Sequence, residues 1–531
     1  MGQSLSQQDI GATSKIEGKF QLAKTVFSLS TIALCTKIFG FVEKLVIAHF
    51  FGTDDTADVY FASMGITLSV IWLVRELMYP SLLPVFANSL SKSASISGNL
   101  FRKVFLSTAG FLTVTVFFLA FFPGLLTNLL VPGFSDLKRQ MTANLLRTLT
   151  PAAFFLGLSM VTYTTLNARR NFLKAAFPEA ALKLIIVVGL VFLIPAMGIY
   201  ALALVMGIGG LCCLLIQLYF IPERSFLLKQ NTNVVKTEHF RKVLLLMGPL
   251  VVGVVFSRIS GLVDNLLAST LPTGNLSYLG YSKKLIDAIL LIGPVALVTV
   301  IYSHLSHLAS AGDHAKFADL VLRSFRLLLY LSVPVACLLI GLKQPLIRFL
   351  FERGQFSSDS TWGTSHAFMI YTFGLTTFSL EVLFVHSFFA LSDTKTPVKY
   401  GILCVFLDIA LAIALLKPFG YLGIAGAFVI SKTVKIVVLG TILNKRLKGL
   451  FSLQIIAFSY KLAVTTCAVW VSIKLLLDID NSESLLHTFY CDLMLPGIGA
   501  LLTFVACSYL LRIDEFKALV SLLKYKKPVS V

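Results

Sequence analysis

Fourteen apolar stretches, each long enough to cross a lipid bilayer as a helix, follow one another along this chain of 531 residues. The bilayer core offers no water to satisfy backbone polar groups, so only helices or closed barrels cross it. Charged residues make up 13% of the chain, where soluble domains contain about a quarter, and the mean hydropathy is +0.85. These features predict an all-α polytopic membrane protein with about 14 transmembrane helices.

The basic residues indicate how the chain is oriented. The formal net charge is +19, and the connections on the side of the termini hold most of the Lys and Arg, including Arg169, Arg170, Lys445 and Arg446. Cationic loops are retained on the cytoplasmic side of a membrane, so both termini are predicted to be cytoplasmic. We expect anionic membrane lipids as partners of these loops, no nucleic acid as a partner, and a monomer.

Two apolar segments repeat one charged pattern. Residues 37–45 and 258–266 share the order basic, Ile, any, Gly, apolar, Val, acidic, any, Leu. A duplicated charged segment predicts two related halves of six spans that face a shared central site, followed by two appended C-terminal helices. The predicted parts are a cytoplasmic tail at 1–24, an N-lobe at 25–222, a cytoplasmic linker at 223–242, a C-lobe at 243–446, appended spans at 447–512 and a cytoplasmic tail at 513–531.

Charged side chains inside the first two apolar stretches are candidate functional residues, because charge at membrane depth is costly and usually marks a substrate or ion path. On a helix, Lys37 and Lys44 share one face, and Glu43 is rotated away from it. The alternative for Glu43 and Lys44 is that they snorkel to the interface or neutralise neighbouring charges. Arg75 and Glu76 are adjacent, so they point about 100° apart and do not simply neutralise each other. A structural ion pair with a neighbouring helix is the alternative role for this second pair.

The eighth apolar stretch adds a third charged group. Lys283 or Lys284 can pair with Asp287 on one helix face, at a spacing of three or four residues. Together with Arg258 and Asp264 of the preceding stretch, this group would add cationic charge to a central cavity. The alternative is that it anchors the helix at the membrane interface.

No sequence pattern supports enzymatic catalysis. The chain has no nucleophile elbow, no HExxH and no Walker lysine loop. His304 and His307 lack a third ligand, so no metal site is expected, and the eight cysteines include no CxxC. Without an ATP-binding domain, transport must draw on a gradient or on the membrane potential. We therefore expect no cofactor, and coupling to the membrane potential or to a monovalent ion.

Three motifs carry a resemblance to a known family. FERGQF at 351–356 resembles the LFERGxF signature of the MurJ/MviN family, and residues 389–398 resemble its FYAxxDTxTPV loop. Residues 40–60 are similar to its GFxRDxxxAxxFGxxxxxDAF stretch, and the match extends over essentially the whole chain. Two features depart from the family pattern. Glu43-Lys44 reverses the sign order of the family's Arg-Asp pair, and the basic pair and EG motif of the second span are not found.

The resemblance implies a transporter of the multidrug/oligosaccharidyl-lipid/polysaccharide exporter superfamily. It implies two six-helix lobes around a cationic cavity, with the last two helices forming a groove for a lipid tail. Family members flip lipid II, the undecaprenyl-pyrophosphate-linked peptidoglycan precursor, from the inner to the outer leaflet of the bacterial cytoplasmic membrane for cell wall synthesis. Lys37 and Lys284 match family arginines, and Asp58 matches a family aspartate.

Cationic side chains suit the pyrophosphate of such a substrate. The predicted substrate-binding residues are Lys37, Lys44, Arg75, Arg258 and Lys284. The predicted charge-balancing or ion-coupling residues are Glu43, Asp58, Glu76, Asp264 and Asp287. Three other functions stay open: a flippase for another polyprenyl-linked glycan such as O-antigen or exopolysaccharide, a drug/cation antiporter of the same superfamily, and a non-transporting scaffold. An antiporter would need an acidic cavity, and the net basic set of charges argues against it.

Overall fold

The computed structural model describes residues 4–228, 238–447, 453–477, 487–517 and 520, and all regular secondary structure in these ranges is helical. Part of the predicted linker, 229–237, and most of the predicted C-terminal tail lie outside the described residues. The helices, numbered along the chain, are α1 Ser4–Phe51, α2 Asp55–Leu90, α3 Ala94–Phe121, α4 Pro123–Leu130, α5 Asp136–Ala168, α6 Phe172–Met197, α7 Tyr200–Tyr219, α8 Ser225–Leu228, α9 Glu238–Ser269, α10 Asn275–Leu290, α11 Ala296–Ser310, α12 His314–Gly341, α13 Lys343–Phe351, α14 Ser358–Phe373, α15 Leu375–Ala390, α16 Lys395–Phe419, α17 Tyr421–Arg446, α18 Leu453–Leu476 and α19 Leu495–Leu510.

The described helices confirm an all-α polytopic membrane fold. Twelve spans are long and apolar enough to cross a bilayer, and α14 with α15, bent by 41°, would form a thirteenth. The predicted number of fourteen is therefore approximate. Helix α1, which contains the first predicted span, carries Lys37, Glu43 and Lys44 in its second half. Short π-helices occur at Leu291–Val295, between α10 and α11, and at Thr488–Met494, before α19.

The chain divides into two compact units. Unit 1 comprises Met1–Ile47 and Ala62–Arg258, and unit 2 comprises Ala48–Phe61 and Ile259–Val531. The end of α1 and the start of α2 thus pack within unit 2, although the rest of both helices packs within unit 1. Helix α9 is divided at Arg258 in the same way. The lobe boundaries near 222 and 243 stay a prediction.

In unit 1, α6 packs closely against α7 and α5. This helix carries two of the charged residues described below. Glycines at the contacts let helix backbones approach closely, as is common in membranes. A methyl group added to Gly189 of α6 would meet Val205 of α7, and one added to Gly209 of α7 would meet Leu182 of α6. Helix α5 lies against both helices and is largely buried. The position of α6 is therefore fixed along its length.

In unit 2, the FERGQF segment holds residues 48–61 of the first hairpin. Gln355 donates its backbone N–H to the carbonyl of His49 at 2.9 Å. Gly354 has a φ of +61°, and a Cβ atom there would overlap the same carbonyl, so glycine is required on both grounds. Tyr281 is fully buried beside this contact and donates a hydrogen bond to the carbonyl of Gly52 at 3.0 Å. The family signature is thus a packing site for the α1–α2 turn.

The two C-terminal helices pack on α12. The hydroxyl of Tyr330 donates to Ser508 Oγ at 2.8 Å, and the buried side chains of Leu342 and Ile473 belong to one apolar cluster. Helices α18 and α19 also contact each other closely at Gly499, where a methyl group would meet Leu476. Helices α12, α18 and α19 therefore form one packed group within unit 2.

Candidate functional site

Eight charged side chains from α1, α2, α6 and α9 form a cluster within unit 1, called here the unit 1 cluster. Ion pairs and cation–π contacts link seven of them into two groups, and electrostatic interactions with Glu179 connect the two groups and include Lys37. Its cationic members are Lys37, Lys44, Arg75, Lys183 and Arg258. Its acidic members are Glu43, Glu76 and Glu179. The cluster is therefore net cationic, as an anionic ligand would require.

Glu43 is the most deeply buried member of the unit 1 cluster, with 1% of its surface exposed. Its two carboxylate oxygens accept hydrogen bonds from Lys44 Nζ at 2.6 Å and from Lys183 Nζ at 2.8 Å. A buried carboxylate is stable only when it is paired and hydrogen-bonded in this way. The ammonium of Lys44 is also buried and bound to Glu43. This geometry does not fit snorkelling to the interface, and it fits the alternative in which Glu43 and Lys44 neutralise neighbouring charges.

Arg75 and Glu76 point to different partners, in agreement with their predicted separation around the helix. Arg75 lies 3.7 Å from Glu179 of α6, and Glu76 forms an ion pair with Arg258 of α9. The ring of Trp72 lies beneath both guanidinium groups, with its centroid 5.1 Å from Arg75 Cζ and 5.7 Å from Arg258 Cζ. An aromatic face attracts cations and leaves the planar edge of a guanidinium free for hydrogen bonds. Both guanidinium groups thus contact the same aromatic side chain.

Lys37 differs from the other cations of the unit 1 cluster. Its side chain is exposed, and its ammonium makes no hydrogen bond or ion pair with any described residue. Glu179 lies within electrostatic range of it. Lys37 is therefore the cation of this cluster that a ligand can bind without first displacing a carboxylate.

Asp58 lies in unit 2, where it caps the start of α10. Its carboxylate is 2% exposed and accepts hydrogen bonds from the backbone N–H of Gly274 and of Ser277, each at 2.9 Å, and from Ser277 Oγ at 2.6 Å. A carboxylate at a helix N-terminus satisfies backbone donors that have no helical partner. This geometry anchors the α1–α2 turn to α10.

The remaining predicted residues also lie in unit 2. Asp264 is buried, and its carboxylate is 3.9 Å from Lys283 Nζ, which lies over the ring of Phe428 at 4.4 Å. Lys284 pairs with Asp287 at 3.6 Å, and both side chains are about half exposed. The i, i+3 pair predicted for this helix is thus present. Whether any of these residues binds substrate or couples an ion stays a prediction.

Four charged residues within apolar stretches were missed from the sequence. Glu179 and Lys183 join the unit 1 cluster, and in unit 2 Lys432 and Lys435 pair with Glu381 at 3.0 Å and 2.6 Å. Glu381 itself stands out in the sequence as a lone polar residue of an apolar helix, for which a helix–helix hydrogen bond is the expected role. The four missed residues also interrupt apolar stretches, so the criterion that selected Lys37 would have found them. Within the described residues, no three His, Cys, Asp or Glu side chains are grouped as metal ligands would be.

Comparison with known proteins identifies the family. The family model described as "Lipid II flippase MurJ" matches residues 47–494. The chain belongs to the MurJ family. Two relatives, each named "Probable lipid II flippase MurJ", come from Haemophilus influenzae and Vibrio cholerae. The first is 29% identical over 82% of this chain and 87% of its own length, and the second is 28% identical over 77% and 80%.

Solved structures agree with the MurJ assignment at the level of the fold. The structure titled "Lipid II flippase MurJ, inward closed conformation" matches with a TM-score of 0.76 and 23% identity, over 92% of this chain and 99% of the other. An inward-facing multidrug resistance MATE family transporter of the MOP superfamily matches with a TM-score of 0.69 and 13% identity, over 78% and 95%. MurJ and MATE proteins therefore share this helical architecture, and the family model distinguishes between them.

Proposed function

We propose that this MurJ-family chain is a lipid II flippase. It moves the undecaprenyl-pyrophosphate-linked peptidoglycan precursor from the inner to the outer leaflet of the cytoplasmic membrane by alternating access, and it thereby supplies cell wall synthesis. Family membership supports the choice of substrate. The observation that carries the proposal is the net cationic cluster of unit 1, in which five cations face three carboxylates and Lys37 is exposed.

The pyrophosphate is proposed to bind first at Lys37 and then at the two arginines. Its oxygens can replace Glu179 beside Arg75 and Glu76 beside Arg258, since both pairs are partly exposed to solvent. Guanidinium groups bind phosphate oxygens through two parallel hydrogen bonds, which favours this exchange. Lys44 contributes positive charge, and the three carboxylates of the unit 1 cluster balance that charge when no substrate is bound.

The proposed location is the bacterial cytoplasmic membrane, with both termini cytoplasmic. The supporting observation is the basic character of the connections on that side, including Arg169 and Arg170 after α5 and Lys445 and Arg446 at the end of α17. Basic loops stay in the cytoplasm during insertion. The inside-negative potential then favours outward movement of an anionic headgroup.

Replacement of Lys37 tests this proposal. The variant Lys37→Ala should lower the rate of lipid II flipping in proteoliposomes by about tenfold, because one charge-assisted hydrogen bond is lost. It should also fail to support growth as the only lipid II flippase of a host strain. Lys37→Arg should keep most of the activity, because the positive charge is retained.

Lys174→Ala is the matched control, because Lys174 is an exposed lysine of α6 outside the unit 1 cluster. It should flip lipid II at the wild-type rate. Wild-type growth and flipping by Lys37→Ala would refute the role of this cluster. A wild-type protein that flips a different polyprenyl-linked glycan and leaves lipid II in place would refute the choice of substrate.

A further inference from the structure

A cavity of about 300 Å³ lies in unit 2, apart from all the charged groups described above. It is formed by the middle of α12, the first turns of α18 and the residues that follow α19. Its lining includes Arg326, Phe458, Lys461, Ile513, Asp514 and Glu515. Both signs of charge therefore meet in one small pocket beside two apolar side chains.

The apolar floor of this cavity is well packed. Phe458 and Ile513 are buried in a cluster with Tyr330 and Leu462. The guanidinium of Arg326 lies over the ring of Phe458, 5.0 Å from its centroid. Aromatic stacking of this kind holds a cation in one place and orientation. The guanidinium of Arg326 is thus held in place by packed side chains.

On the acidic side of the cavity, one carboxylate oxygen has no hydrogen-bond donor among the described residues. Glu515 is 8% exposed, and its Oε1 lies 2.6 Å from Arg326 Nε. Its Oε2 is buried and accepts no hydrogen bond from any described residue. Asp514 is exposed beside it and lies 3.6 Å from Arg326. A buried carboxylate oxygen without a donor is costly, so this side of the cavity suits a ligand that donates hydrogen bonds and carries positive charge.

On the basic side of the cavity, one lysine has no counter-ion among the described residues. The ammonium of Lys461 makes no hydrogen bond or ion pair within the part of the chain that the structure describes. Ile456 and Tyr460 lie on the same stretch of α18 and are 66% and 71% exposed. Exposed apolar side chains on a membrane helix contact lipid chains. The cavity therefore opens where the headgroup of a lipid can enter while its acyl chains stay along α18.

We propose that this cavity binds the headgroup of an aminophospholipid of the phosphatidylethanolamine type. The phosphodiester binds Lys461 and the free edge of Arg326, and the primary ammonium donates hydrogen bonds to Glu515 Oε2 and to Asp514. An anionic headgroup without an amine would leave Glu515 Oε2 without a donor, and a trimethylated amine has no N–H to donate. The proposed orientation of the chain assigns this lipid to the cytoplasmic leaflet, and the headgroup chemistry does not depend on it.

The test measures lipid binding to the purified full-length protein in detergent by native mass spectrometry. Phosphatidylethanolamine, phosphatidylcholine and phosphatidylglycerol with identical acyl chains compete in equal amounts. The wild-type protein should retain phosphatidylethanolamine about tenfold more than either competitor, as expected for hydrogen bonds to a charged group. Glu515→Gln should abolish the preference over phosphatidylcholine, and Lys461→Ala should weaken binding of phosphatidylethanolamine. Lys474→Ala, which removes a lysine from the other end of α18, should change neither.

The outcomes separate the alternatives. Equal retention of the three lipids by the wild-type protein would overturn the proposal, and this result needs no variant to fold. An unchanged preference in Glu515→Gln would overturn it as well, because the lipid would then bind elsewhere. Stronger retention of phosphatidylglycerol would identify an anionic lipid site instead. Lipid II flipping is measured separately, so failure of this proposal leaves the proposed transport function untouched.

Discussion

At the scale of single residues, Glu43 explains how this chain accommodates a reversed charge pair. The family order places a cation before an acid, and here Glu43 precedes Lys44. The buried carboxylate lies between Lys44 and Lys183, so the acid is held inside the helix packing and the exposed cation is Lys37. In this chain the acid of the pair is therefore buried, and the accessible positive charge lies at Lys37.

Removal of this carboxylate should destabilise the protein. Glu43→Gln leaves the Lys44 and Lys183 ammonium groups close together and without their shared anion, which should cost about 3 kcal/mol of the free energy of unfolding. Thermal unfolding of the detergent-solubilised protein measures the effect. Glu76→Gln should cost less, because its pair with Arg258 is about one-third exposed. Equal unfolding temperatures for Glu43→Gln and the wild type would contradict this account.

Individual charges were predictable, and their partners were not. Arg75 and Glu76 are adjacent, so helix geometry alone predicts that they point apart. Their partners Glu179 and Arg258 come from helices that are distant along the chain. Such contacts depend on how the helices pack. The hydrophobic periodicity of a single helix does not predict that packing. The same limit applies to Asp58, whose capping role requires a knowledge of where α10 begins.

At the scale of helices, the start of α16 shows the structural role of the loop at 389–398, which resembles a family motif. Asp393 accepts hydrogen bonds from the backbone N–H of Thr396 at 3.0 Å and from Thr396 Oγ1 at 2.6 Å, and it pairs with Arg446 at 2.7 Å. The loop that resembles the family's DTxTPV motif is thus a helix cap joined to the end of α17. Burial raises the pKa of Asp393, but these hydrogen bonds and Arg446 outweigh it and hold the pKa below its ordinary value.

This cap predicts a pH dependence. Because the folded-state pKa of Asp393 is lowered, its contribution to stability is present above the unfolded pKa and is lost as the pH falls through the folded value. Asp393→Ala should lower the free energy of unfolding by about 1 kcal/mol at pH 7, and the difference from the wild type should shrink below about pH 4. Unfolding measured across this pH range checks it. Asp319→Ala, which removes an exposed pair within α12, should have little effect at any pH.

At the scale of the whole molecule, the hydropathy of the sequence predicted the class of fold. The composition of the two compact units depends on contacts between distant residues, which hydropathy does not predict. Each apolar stretch signals its own helix, so an all-α membrane protein followed directly from the sequence. The assignment of residues 48–61 to unit 2 depends on Gly354, Tyr281 and Asp58 meeting across long chain separations. Domain prediction along the sequence assumes that each lobe is contiguous. It therefore does not predict that a short segment of the first hairpin packs within unit 2.

The proposed transport cycle predicts a dependence on membrane potential. When the inside of the membrane is negative, moving a net negative headgroup outward is favoured by about 2.3 kcal/mol per charge per 100 mV. Flipping in proteoliposomes should therefore speed up when a potassium diffusion potential makes the side of the termini negative, and slow down when its sign is reversed. An equal flipping rate for both signs of the potential would contradict the prediction that net charge moves in the rate-limiting step.

The packing of residues 48–61 within unit 2 has a consequence for biogenesis. Asp58 is synthesised well before its partners, since Gly274 and Ser277 follow 216 and 219 residues later. At ordinary elongation rates the ribosome needs about 10 to 40 seconds to reach them. During that interval the first helical hairpin has left the ribosome with a carboxylate that lacks its final donors. The turn of this hairpin must therefore stay in contact with water or with the insertion machinery until the second half of the chain arrives.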